Sequence, residues 1–72
     1  MTVFNFLVET KVARICAAYS KKKNISADDA LRVLLGSDTY SILSDPKTGV
    51  CYEVFECVYE MFLDEMGEAG AE

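Results

Sequence analysis

Glycine and proline are distributed so that two long stretches escape them altogether. From Val3 to Lys23, and again from Val50 to Met66, the chain has neither residue; its one proline, Pro46, and two of its four glycines lie between those stretches. Long segments without breakers, carrying apolar residues at helical spacing, are the pattern of α-helices. In the first, Phe4, Val8, Val12, Ile15 and Tyr19 fall on one stripe at the helical period. A weaker strip, Phe6, Ala13 and Ala17, lies on the far side, and its small residues let another helix come close. Lys21, Lys22 and Lys23 then place positive charge against the partial negative charge of the helix C-terminus, and Asn24 follows as a left-handed cap.

Ser26 opens a second helix. Its hydroxyl can accept from the free amide of Asp29, Asp28 and Asp29 sit in the electropositive first turn, and Gly36 ends the run. Ala27, Ala30, Leu31, Leu34 and Leu35 share the face expected to turn inward. Ser37 caps a further turn or two over Thr39–Leu43, and Asp45-Pro46-Lys47-Thr48-Gly49 reads as a turn. The last stretch has a wide apolar arc of Tyr52, Val54, Phe55, Val58, Tyr59, Phe62, Leu63 and Met66, wider than the usual stripe of roughly 100°. Its β-branched and aromatic start leaves Val50–Tyr52 open between helix and extended chain. The expectation is an all-α fold, a small bundle of two long antiparallel helices plus one or two short ones. It forms a single helical domain over 1–66, followed by a flexible acidic tail, 67–72.

With 72 residues, the chain can hide only roughly 60% of the surface its unfolded form exposes, so a deep catalytic cleft would compete with the core for residues. The formal charge of −5 repels phosphate backbones and anionic lipid. Histidine is absent, which removes the commonest general base and the commonest zinc ligand. The three cysteines, Cys16, Cys51 and Cys57, are an odd number without a C-x-x-C pair and read as reduced thiols in a cytoplasmic protein. Glu9, Lys11 and Arg14 interrupt the N-terminal apolar run, so it resembles neither a secretory signal nor a membrane span. No catalytic, cofactor-binding or metal-binding residue emerges, and the chain is read as not an enzyme.

Four features invite a functional reading, each beside a plainer one. Glu53, Glu56, Glu60 and Asp64 form an acidic strip on the last helix at spacings of three and four, a docking strip for a basic partner or else a solvated outer face. The Lys21–Lys23 cluster, with Lys11 and Arg14, supports the alternative of a small nucleic-acid-binding regulator, against the plainer role of stabilising a helix end. Ala27–Leu43 has the outline of a helix-turn-helix reader, yet Asp38, Thr39, Ser41 and Asp45 supply no cation where a recognition helix needs one. Cys51, near the start of the last helix, could be a thiolate nucleophile but has no partner base; a small buried apolar residue is the simpler role.

The surplus of apolar side chains, 51% of the chain, exceeds what one copy of so small a fold can cover. This points to a protein–protein interaction module, a homodimer or a partner of another protein, with Phe55, Tyr59, Phe62, Leu63 and Met66 as apolar anchors. The acidic strip Glu53, Glu56, Glu60 and Asp64 would be their polar rim.

The whole chain also resembles a loosely defined group of short helical bacterial proteins of unknown function. The resemblance is carried by the cap of the second helix, Ile25, Ser26, Asp29 and Ala30, by the run Ser44-Asp45-Pro46-Lys47-Thr48-Gly49-Val50, and by the aromatic and acidic last helix with Tyr59 and Glu60. Some such proteins are encoded beside toxin-like or surface-protein genes, which implies a helper or antitoxin-like binding role and no catalytic residue.

Overall fold

The computed structural model describes residues 2–68. The fold is all-α: helices α1 (Val3–Lys23), α2 (Ala27–Leu35), α3 (Asp38–Leu43) and α4 (Phe55–Glu65), with a 3-10 turn over Val50–Tyr52 before α4. At about 1.5 Å per residue, the 21 residues of α1 reach roughly 31 Å and set the long dimension of the molecule, 32 Å. The other helices are short and pack around it. α1 packs against α2, α4 and the 3-10 turn, and α3 against α2 and α4.

Local chemistry accounts for each boundary. The Thr2 hydroxyl accepts from the Asn5 amide at 3.0 Å and starts α1; Asn24, at φ 55°, ends it in the left-handed region, where the Ile25 amide reaches back to the Ser20 carbonyl. Ser26 accepts from the Asp29 amide at 3.1 Å and Ser37 from the Tyr40 amide at 3.1 Å, so α2 and α3 both begin on the expected serines. α3 begins one residue earlier than the sequence suggests, at Asp38. The turn after it is tied by Asp45, whose carboxylate accepts from the Lys47 amide, and by Thr48, whose hydroxyl donates to the Ile42 carbonyl. Gly49 sits at φ +69°, a conformation that costs any side-chain-bearing residue.

The last apolar stretch departs from the expected single long helix. Thr48 and Gly49 deliver Val50–Tyr52 as a tight turn that drops Cys51 into the core at 1% exposure. Glu53 and Val54 are then extended, with ψ near 157°, before α4 begins. Valine, cysteine and tyrosine favour helix only weakly, so leaving it here costs little. Because the first turn is detached, the wide arc splits: Tyr52 and Val54 swing outward, 68% and 61% exposed, while Val58 and Phe62 are fully buried. α4 therefore has 11 residues, and the fold has one long helix where two were expected.

The core joins all four helices: Ile15 and Tyr19 from α1, Leu34 from α2, Leu43 from α3, Val58 and Phe62 from α4, with Cys51 from the 3-10 turn. The Phe62 and Tyr19 rings meet edge to face at 4.8 Å, a favoured aromatic geometry. The expected α1 stripe holds, since Val8, Ile15 and Tyr19 are buried and Phe4 and Val12 are packed against the core. On α2 only Ala30 and Leu34 are buried; Leu31 and Leu35, expected inside, are 36% and 47% exposed. Gly67 (φ +76°) and Glu68 close α4, the Glu68 amide donating to the Leu63 carbonyl at 2.7 Å. The expected tail thus begins with two residues that cap a helix, and its remainder, 69–72, lies outside the described residues.

Candidate interaction surface

The five expected apolar anchors do not form one surface. Phe62 is fully buried and Leu63 is 9% exposed, so both are spent on the core of a single copy. Phe55, Tyr59 and Met66 are half-buried at its margin. The rings of Phe55 and Tyr59 stack at 5.3 Å, and the Arg14 guanidinium lies over Phe55, 4.2 Å from its centre. Burial raises the pKa of the Tyr59 hydroxyl above the ordinary tyrosine range. Glu53, Glu56, Glu60 and Asp64 are all exposed, and their carboxylates make no ion pair among the described residues.

The other candidate groups are placed as follows. Lys23 pairs with Glu68 at 2.6 Å. Their hydrogen bond raises the pKa of Lys23 and lowers that of Glu68. Cys51 is enclosed in the 3-10 turn and buried, not at the start of α4 where the sequence placed it. Cys16 is buried, which raises its thiol pKa, and Cys57 is exposed. Among the described residues, no group of three or more His, Cys, Asp or Glu could hold a metal ion, and no helix is long and apolar enough to cross a membrane.

Glu65, which the sequence reading passed over, joins two helices. Its carboxylate accepts from the Asp38 amide at 2.7 Å, the Thr39 amide at 2.8 Å and the Thr39 hydroxyl at 2.7 Å. With Ser37 on the Tyr40 amide, all three leading amides of α3 are satisfied. Desolvation alone would raise the pKa of this carboxyl, but the three donors outweigh it and the net shift is downward. Thr39, on the segment that the helix-turn-helix outline would use as a recognition helix, is 3% exposed beneath this contact.

The apolar surface left open lies on the outer side of α1 and beside α2. Val3 is 70% and Phe6 58% exposed, and Thr10, Ala13 and Ala17 continue the same line at spacings of three and four. This line runs opposite the buried stripe, where a surface helix normally carries its charges, yet none of its members is charged. Its threonine is muted too, because the Thr10 hydroxyl donates to the Phe6 carbonyl at 2.8 Å. Next to it, Ala13 and Ala17 from α1 and Leu31 and Leu35 from α2 line an open groove of about 480 Å³, with Glu9 and Asp28 also among its lining residues. The two alanines leave the space that exposes the leucines. The far-side strip of Phe6, Ala13 and Ala17 was legible in the sequence; the exposure of Leu31 and Leu35 beside it was not. Compared with known protein families, characterised proteins and solved structures, the chain matches none.

Proposed function

We propose that this protein is a protein–protein interaction module, acting as a homodimer or as a helper or antitoxin-like partner of another protein. Its working surface is the outer side of α1 with the adjoining groove against α2. The observation that supports this reading is the uncharged line Val3, Phe6, Thr10, Ala13 and Ala17 on the side of α1 that faces away from the core. Exposed apolar area of this kind on a small domain commonly marks a binding surface. The acidic strip of α4 keeps the module soluble, and its free thiols suit the reducing cytoplasm.

In-cell photocrosslinking tests the assignment. A photoreactive amino acid at Ala13 is expected to form covalent adducts with protein, whether a second copy or another chain, and the same probe at Glu60 is expected to form none. Absence of adducts from position 13, or identical adducts from both positions, would refute it.

A further inference from the structure

We infer that the outer face of α1 pairs in parallel with α1 of a second copy, with Phe6 and Ala13 packed against their counterparts and Glu9 of each copy paired with Arg14 of the other. The inference rests on the interaction reading above and adds the occupant, the register and the orientation.

The spacing carries the first step. Val3, Phe6, Thr10, Ala13 and Ala17 alternate steps of three and four residues, the repeat that keeps a seam facing one partner helix along its length. Phe6 supplies a large knob, and Ala13 and Ala17 let the two backbones approach. The hydroxyls of Thr10 and Ser20 are both bonded to carbonyls of their own helix, so burying this side strands no polar group there.

Charge carries the second step, because it distinguishes a second copy from an unrelated helix. Glu9 lies on one flank of the line and Arg14 on the other, five residues later, and neither has an ion-pair partner among the described residues. In a parallel in-register pair, such flanking positions meet across the seam, so a second copy satisfies both charges twice over. An antiparallel pair brings like flanks together, so Glu9 of one copy does not meet Arg14 of the other. Seven residues beyond Glu9 on its flank is Cys16, so the parallel register opposes Lys21 to no cation. Its contact with the Phe55 ring restrains the Arg14 guanidinium before the partner arrives.

The test uses the full chain with Cys57→Ser, which removes the exposed native thiol and leaves Cys16 and Cys51 buried. In that background, Phe6→Cys alone is expected to oxidise to a covalent dimer, since facing positions of a parallel seam lie within disulfide reach, while Glu60→Cys is not. Separately, Glu9→Arg should weaken association by about tenfold, because it sets like charges across both flanks, and adding Arg14→Glu should restore it. Cross-linking only when Phe6→Cys and Ala13→Cys chains are mixed would overturn the parallel register. A purified protein that stays monomeric at all concentrations would overturn the inference altogether, whereas adducts to a different protein from position 13 would leave the interaction reading standing.

Discussion

Replacing Glu65 with alanine removes the one side chain that joins the last turn of α4 to the first turn of α3. Three hydrogen bonds to its carboxylate disappear, at 2.7, 2.8 and 2.7 Å. Water can replace the bond to the exposed Asp38 amide, so that loss is small. Thr39 is 3% exposed, and its amide and hydroxyl would be left with poor access to solvent. Two such groups, discounted because Glu65 itself is exposed, cost about 2 kcal/mol in all. A domain of this size is stable by only about 4–10 kcal/mol, so the change is a substantial fraction. With a denaturant dependence of about 1 kcal/mol per molar urea, the midpoint followed by circular dichroism should fall by about 2 M. Acid adds a second signature. Because the folded-state pKa of Glu65 is lowered, its contribution is present above the unfolded pKa and is lost as pH falls through the folded value. Wild type and Glu65→Ala should therefore converge in stability in acid. A loss below about 0.5 kcal/mol at neutral pH, or a difference that does not shrink on acidification, would refute the role given to this cap.

Four further outcomes follow from the rest of the fold. Gly49→Ala should cost about 1 kcal/mol, read as a lowered melting temperature, because φ is +69° although no atom lies within 4 Å of the added carbon. Gly36→Ala, at φ −91° and meeting only ordinary contacts, should leave the melting temperature unchanged or raise it. Phe62→Ala should cost about 3–5 kcal/mol and leave much of the population unfolded by circular dichroism, since the ring is fully buried and packs against Tyr19. Alkylation followed by mass spectrometry should label Cys57 in the native protein, and Cys16 and Cys51 only after denaturant is added.

What the sequence disclosed divides along physical lines. Start and stop signals are local, so Ser26, Ser37 and Asn24 cap where their chemistry requires, and α1 and α2 have the expected limits. The α1 stripe was legible because a long helix samples its period several times. The division of the last stretch was not, because it depends on where the Thr48 turn delivers Cys51, a tertiary fact absent from the periodicity. That division moved Phe62 and Leu63 into the core as Tyr52 and Val54 turned outward. On α2, five apolar residues at helical spacing gave no means of telling which would meet α1; facing alanines rather than large side chains leave Leu31 and Leu35 open. Glu65 was not singled out, since its donors lie 26 and 27 residues away and no local pattern marks them.

We propose that the uncharged outer line of α1 is a binding face, occupied in the pure protein by a second copy. Light scattering after size exclusion, on wild type and Phe6→Glu across a concentration series, tests it most directly. A mass near twice 8.0 kDa is expected for wild type and 8.0 kDa for Phe6→Glu, with equal helicity in both because Phe6 lies outside the core. A dimer that survives Phe6→Glu would contradict the assignment of this face, and a wild type that remains monomeric would contradict self-association.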